Sequence, residues 1–300
     1  MNKIAPIVLF TYNRLWHTQQ TINSLLKNDL ADRSDVIIFS DGPKDVNSRL
    51  KVDEVRKYIK TVNGFKNIEI VESETNKGLA GSIISGVTKI VNEYGRVIVL
   101  EDDMITSPYF LRFMNDGLNF YENNEEVISI SGYIYPLKQK LPETFFLKGA
   151  DCWGWATWKR GWDLFEANGQ QLLNELEKQN LTYEFDYSGT SPFTKMLKDQ
   201  IAGKNNSWAI RWYASAFLKQ KISLYPGISL IQNIGNDETG VHCRKTSLFD
   251  VNLSNKPIKV NDRILKYNDE VVRMMSKFFK VGILKKILDK IKSYTLKSSK

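Results

Sequence analysis

Three carboxylates in a row, Glu101-Asp102-Asp103, end the apolar run Val97-Ile98-Val99-Leu100. Side by side they repel one another unless a positive charge is present. Hard divalent cations prefer carboxylate oxygens, and such a cation carrying a phosphate on its far side would supply that charge. The plain alternative is a solvated acidic turn ahead of a helix opening near Ser107-Pro108. What separates the two is whether the rest of the chain brings nucleotide-binding chemistry to the same place.

The apolar run reads as a buried strand of a parallel sheet, and ligands of open α/β sheets bind outside the carboxyl ends of such strands. Strand patterns at 7–10, 36–40, 68–71, 97–100 and 127–131 alternate with helical patterns at 16–26, 52–59, 79–94 and 108–121. Alternation of this kind predicts right-handed βαβ units and a doubly wound, mostly parallel sheet. A polar cluster follows each of the first four strands: Thr11-Tyr12-Asn13-Arg14, Asp41-Gly42, Asn76-Lys77-Gly78 and the acidic triplet. Asp41 could accept from a base N–H. Arg14 and Lys77 could meet phosphates, and Gly78 permits close backbone approach before a helix N-terminus. Each cluster alone could be an ordinary turn; four converging on one crevice are a stronger signal.

Bulk properties narrow the class. The 300 residues carry a net charge of +8, but the last 25 hold eight lysines against Asp289, leaving +1 for the first 275. Basicity therefore belongs to the tail, which argues against a nucleic-acid face on the main body. Cys152 and Cys243 lie far apart in no metal-type spacing, which suits a reducing cytoplasm. The opening residues do not read as a signal peptide, and no apolar run has the length to span a bilayer.

After about residue 140 aromatics concentrate, in 151–162 and again in 207–213, with six of the seven tryptophans in these two stretches. Phe10-Thr11-Tyr12-Asn13-Arg14, Ser40-Asp41-Gly42, Asn76-Lys77-Gly78-Leu79-Ala80 and Glu101-Asp102-Asp103 together resemble the nucleotide-sugar half of GT-A glycosyltransferases. The likeness is to bacterial family 2-like sugar transferases and to N-acetylglucosaminyltransferase I. Trp153-Gly154-Trp155-Ala156-Thr157-Trp158, the stretch from Pro226-Gly227 to Gly235, and His242 resemble the second half of the bacterial group, so the likeness spans roughly 5–245.

The resemblance implies a donor pocket of Thr11, Tyr12, Asn13, Arg14, Asp41, Asn76, Lys77, Gly78, Glu101, Asp102 and Asp103. In it Asp41 meets the base, Asp102 the sugar or ribose, and Asp103 binds Mn2+ or Mg2+ directly with His242 as a further contact. Trp153, Gly154 and Trp155 would form the acceptor wall, although tryptophans at these spacings also pack cores. The implied activity is metal-dependent, inverting transfer of a sugar from a nucleotide diphosphate donor, UDP-linked by preference, to a glycan or lipid-linked acceptor in bacterial surface-polysaccharide assembly. A sugar-nucleotide nucleotidyltransferase is the runner-up, but Thr11–Arg14 lacks the glycines its first loop wants. A non-catalytic glycan-binding protein is the third reading.

One departure supports that third reading. Members of the resembled group often carry an acid just after the tryptophan of the second aromatic stretch, and this chain has Trp208-Ala209-Ile210. Asp237, Glu238 and Asp151 are the remaining candidates for the base an inverting displacement needs. The expected organisation is a nucleotide-sugar half at 1–140, an acceptor half at 141–265 and a basic amphipathic tail at 266–300. The tail would either lie on an anionic membrane surface, holding a cytoplasmic enzyme at the inner face, or pack on the domain.

Overall fold

The computed structural model describes residues 3–239, 246–261 and 265–281. In chain order the first half contains β1 (Ile7–Thr11), α1 (Leu15–Leu25), β2 (Asp35–Ser40), α2 (Val46–Ile59), β3 (Asn67–Glu72), α3 (Gly78–Tyr94) and β4 (Arg96–Glu101). Then come β5 (Met104–Thr106), α4 (Phe110–Phe120), β6 (Val127–Ser131), β7 (Thr144–Lys148) and β8 (Trp155–Trp158). The short α5 (Lys159–Trp162), α6 (Gly169–Lys178), α7 (Thr182–Phe185), α8 (Phe193–Ile201) and α9 (Trp208–Leu218) precede β9 (Ile222–Pro226) and β10 (Ile231–Asn233). A last helix, α10, runs over 269–281.

Eight strands form one sheet in the order β3-β2-β1-β4-β8-β6-β9-β7, with only β8 and β7 running against the rest. This is the doubly wound, mostly parallel α/β sheet expected from the sequence. The order turns back between β1 and β4, so their carboxyl ends open a crevice at the switch point. Strands β7, β8 and β9, all from beyond residue 140, lie in the same sheet as β1 to β4.

Why these segments are strands is visible in their two-sided burial. Ile7 and Leu9 of β1, with Ile98 and Leu100 of β4, pack toward α1, α2 and α4. Val8 and Phe10, with Val97 and Val99, pack toward α3 and α9 on the other face. Alternation by one residue with both faces covered is what a continuous apolar run means in a central parallel strand.

The tryptophan-rich segment divides the same way. Trp158 joins the first face, while Trp155 lies fully buried on the second among Trp162, Trp208 and Trp212. Contrary to the acceptor-wall expectation, Trp155 has no surface to offer a sugar: its place in β8, between β4 and β6, points its indole into the core.

The beginning of the tail is likewise part of the body. Val271 and Met275 are buried against Ile134, Phe145, Leu147, Tyr187 and Tyr225. Phe278 and Phe279 both meet Tyr135, and Ser276 Oγ donates to the Tyr187 carbonyl at 2.9 Å. Phe278 and Phe279 are therefore not free to enter a lipid surface. Residues 282–300, with most of the tail's lysines, lie outside the described residues. Among the described residues no helix is long and apolar enough to cross a membrane.

Candidate active site at the β1 and β4 switch point

The acidic triplet is held in place by a polar stripe on the buried side of α1. Thr21 Oγ donates to the Asp102 carbonyl at 2.7 Å and accepts from Met104 N at 3.0 Å. Three residues on, Ser24 Oγ accepts from Thr106 N at 3.0 Å. Asn28 donates to Thr106 Oγ at 2.8 Å and accepts from Leu111 N at 3.0 Å. Thr21 and Ser24 of α1, with Asn28 just past its end, thus satisfy backbone groups of 102–111 on the side of β5 away from its strand partner.

A second clamp comes from the far end of the chain. Strand β10 pairs antiparallel with β5, Asn233 opposite Met104. Ile234 N then donates to the Asp103 carbonyl at 2.9 Å, and Gly235 N donates to Asn233 Oδ1 at 2.8 Å. This lays Gly235 directly over the acid: a Cβ there would sit 2.0 Å from Asp103 Oδ2. Only glycine fits so close an approach.

Within this frame Arg14 Nη2 donates to Asp102 Oδ1 and, at 2.8 Å, to Asp103 Oδ2. Burial alone would lower the Arg14 guanidinium, but Asp102 and then Asp103 hold it above its ordinary value. Burial pushes the Glu101 carboxyl up to about 8, with repulsion from Asp103 and Asp102 adding to it. Burial also raises Asp102 to about 6; Arg14 pulls it back and Asp103 pushes it up. One guanidinium is thus short of neutralising three acids in a confined space.

Asp103 Oδ1 is buried with no hydrogen-bond partner. An orphaned carboxylate oxygen is costly unless a ligand completes it, and a hard divalent cation suits it. Among the described residues no group of three or more His, Cys, Asp and Glu side chains is arranged to hold a metal ion by itself. One protein carboxylate completed by substrate phosphates is a usual arrangement for Mg2+. His242, the other expected contact, lies outside the described residues.

Around the triplet the other donor-pocket residues form the rim. Asp41 Oδ1 accepts from Gly42 N and Lys77 N, each at 2.9 Å, and Oδ2 accepts from Asn76 at 3.1 Å. Asp41 thus ties the loop after β2 to the start of α3. Gly42 lies so close to the Thr75 backbone that a Cβ would approach its carbonyl carbon to 2.5 Å. Thr11 is buried and donates to the Phe39 carbonyl at 3.3 Å, and Tyr12 OH accepts from Lys44 N at 3.2 Å. Asn13 precedes Arg14 at the entry to α1, while Lys77 is exposed and Gly78 opens α3 at φ +69°.

The three base candidates are in different situations. Asp237 is tied to buried His17, Nε2 to Oδ2 3.0 Å, and accepts from Thr239 N at 3.0 Å and Thr239 Oγ at 2.6 Å. Burial works the other way, but Thr239 and His17 hold its carboxyl below the usual carboxylate range. Glu238 is exposed, with its backbone at φ +75°. Burial raises Asp151 to about 6 against the opposing backbone N–H groups of Cys152 and Trp153.

Because β8 runs against its neighbours, Asp151 and Trp153 arrive at the same sheet edge as the end of β4. Cys152 feels the charges of Asp151, Glu101 and Asp103 after the larger effect of its own burial. Gly154 takes φ +61°, and a Cβ there would come within 2.5 Å of Ile231. Trp153 stays partly exposed, edge-on to Tyr133 at 4.6 Å and to Phe249 at 5.7 Å. Further along the edge, loops after β6 and β9 border a cleft of about 640 Å3 whose walls include Tyr135, Pro142, Ile228 and Asn252.

His17, Thr21 and Gly235 belong to this site and are not among the residues expected from sequence. The polar stripe of α1 was visible as Thr18, Thr21, Ser24 and Asn28 at helical spacing. Nothing local marks His17, and Gly235 figured only as the end of the stretch from Pro226; their neighbours in the site lie 220 and 132 residues away in the chain.

Residues 7–145 match the family model for glycosyl transferase family 2, in line with the resemblance read from the sequence. No curated protein matches the chain. Among solved structures, the mannosyltransferase PcManGT from Pyrobaculum calidifontis, in complex with GDP-Man and Mn2+, is similar at 14% identity, with a TM-score of 0.34 over 44% of this chain. S. aureus TarS is similar at 18% identity, with a TM-score of 0.33 over 49% of this chain. This chain spans 36% of the length of the first and 25% of the second. A UDP-glucose pyrophosphorylase complexed with UDP-glucose is similar at 14% identity and a TM-score of 0.34, covering 74% of this chain and 90% of that one.

Proposed function

We propose that this chain, with its glycosyl transferase family 2 region at residues 7–145, transfers a sugar from a nucleotide diphosphate donor to a glycan or lipid-linked acceptor. The observation that carries the reading is Asp103: a buried carboxylate with one oxygen on Arg14 and the other unpartnered, at the switch point of a doubly wound sheet. In this reading Asp41 and the start of α3 border the nucleotide, Arg14 and Lys77 meet phosphate oxygens, and Asp102 faces the ribose or sugar. Asp103 would hold Mn2+ or Mg2+, which when bound supplies Lewis-acid charge for the leaving diphosphate.

The acceptor side follows from the order of loops along the sheet edge. Beyond β4 come Asp151 and Trp153, then Tyr135, then the cleft. From β4 to β6 is two strand spacings, roughly 10 Å. The acceptor hydroxyl would lie beside Asp151, one sugar face against Trp153, with the rest of the chain running toward the cleft. Its oxygen attacks the anomeric carbon, the bond to the diphosphate oxygen breaks, and the hydroxyl proton passes to Asp151. Attack opposite to the leaving group inverts the anomeric centre. Asp151 is the preferred base because Asp237 is already engaged by His17 and Thr239, and its low pKa suits it poorly to accept a proton. Surface-polysaccharide assembly, with a membrane-associated acceptor, is the setting we favour.

Slow hydrolysis of the donor by water tests the activity without a known acceptor. Incubated with Mn2+ and a panel of UDP-, GDP- and dTDP-sugars, the protein should release nucleoside diphosphate from at least one. Release that requires pyrophosphate and yields nucleoside triphosphate would instead identify a nucleotidyltransferase. No turnover of any donor, with glycan binding retained, would favour a binding protein.

A further inference from the structure

We propose that Arg14 is the resident counter-cation of the acidic crevice and must leave Asp103 for a metal ion to bind fully, so that metal and nucleotide diphosphate load together. The inference rests on the donor-site reading above and extends it to the order in which the site fills.

Three observations carry it. First, Arg14 spans both Asp102 and Asp103, taking one oxygen of each. A divalent ion on the free Oδ1 of Asp103 would share that carboxylate with a guanidinium, and two cations on one group repel one another. Second, the pair cannot simply spread apart to admit an ion. Gly235 closes it from above, its Cβ position 2.0 Å from Asp103 Oδ2 and 3.1 Å from Arg14 Nη1. That segment is pinned by the Ile234 bond to the Asp103 carbonyl. Third, Arg14 can be reached from solvent. It stands at the N-cap of α1, outside the helical conformation at φ −114° and ψ 79°, and its side chain keeps 18% of its surface exposed, where a phosphate could meet it.

A diphosphate offers what Arg14 would lose. Guanidinium binds phosphate oxygens in the same forked manner as carboxylates, so the donor can draw Arg14 away while releasing Asp103 Oδ2 to the cation. Metal alone would have to displace Arg14 without giving it a new partner. The two ligands should therefore strengthen each other's binding, reciprocally and by the same factor.

The test is Mn2+ binding, followed by the electron paramagnetic resonance signal of free Mn2+, with and without UDP or GDP, in the full chain. Wild type should bind Mn2+ at least about tenfold more tightly when the matching nucleotide is present. Arg14→Met, which removes the internal cation, should bind Mn2+ alone about tenfold more tightly than wild type and lose most of the nucleotide enhancement. Arg14→Lys keeps the charge but not the fork, and should lie between the two; it decides the matter if Arg14→Met does not fold. Asp103→Asn should abolish binding in either background. Wild-type affinity for Mn2+ alone in Arg14→Met, or in Arg14→Lys where that variant must decide, overturns the exchange. No Mn2+ uptake by wild type with either nucleotide would instead sink the donor-site reading on which it rests.

Discussion

Asp151 shows how a single residue's environment suits it to one task. It stands at the sheet edge beside the acids of β4, hydrogen bonds from Cys152 and Trp153 only partly offset its burial, and its carboxyl rises to about 6. A base must be deprotonated to accept the acceptor's proton, so this shift places an acid limb on the rate. At saturating donor and metal, turnover should be full above pH 7 and fall about tenfold per pH unit below about 6. Asp151→Asn should lower turnover by roughly 10²–10⁴ and remove that limb while donor affinity survives. A pH–rate profile measured on both proteins checks this, and an unchanged limb in the amide variant would assign the base elsewhere. Asp237 contrasts with it: its oxygens are taken by His17 and Thr239, which suits a residue that fastens the 236–239 loop to α1.

At the scale of elements, α1 and α10 each have a role that their sequence pattern did not carry. The helix α1 appeared as a helical pattern alone, yet its buried Thr21, with Asn28 just past its end, holds the segment from Asp102 to Thr106 by hydrogen bonds. The helix α10 was read as a candidate membrane-surface segment because its apolar positions repeat at helical spacing. Periodicity shows that a helix has an apolar face; it does not show what covers that face. Here β7 and β9 cover it through Val271 and Met275. Met275→Ala should therefore cost about 2–5 kcal/mol of stability. Ending the chain at residue 268 should lower the melting temperature, whereas ending it at 281 should leave the temperature close to that of the full chain. Scanning calorimetry of the two truncations separates these outcomes; equal melting would mean that α10 adds nothing to the fold.

For the whole molecule, what was legible in the sequence was what local pattern can carry. Apolar runs gave β1 to β4 and the order of polar clusters at their ends, because β1 and β4 are buried on both faces, the edge strand β3 still places apolar residues on the sheet, and each cluster follows its strand closely. The partition of the tryptophans was hidden, since Trp153 lies ahead of β8, before the turn at Gly154, while Trp155 and Trp158 leave opposite faces of the strand, whose neighbours come from distant segments. The closure of the site by Gly235 was hidden for the same reason: it depends on β10 returning to pair with β5.

The account as a whole rests on Asp103 binding a cation that holds a nucleotide diphosphate. Isothermal titration of UDP and GDP into wild type and Asp103→Ala, each with and without Mn2+, tests this most directly. Wild type should bind one of the two nucleotides in a Mn2+-dependent manner, and Asp103→Ala should lose the Mn2+-dependent part entirely while keeping its fold by circular dichroism. Unchanged Mn2+-dependent binding in Asp103→Ala would contradict the assignment of the site.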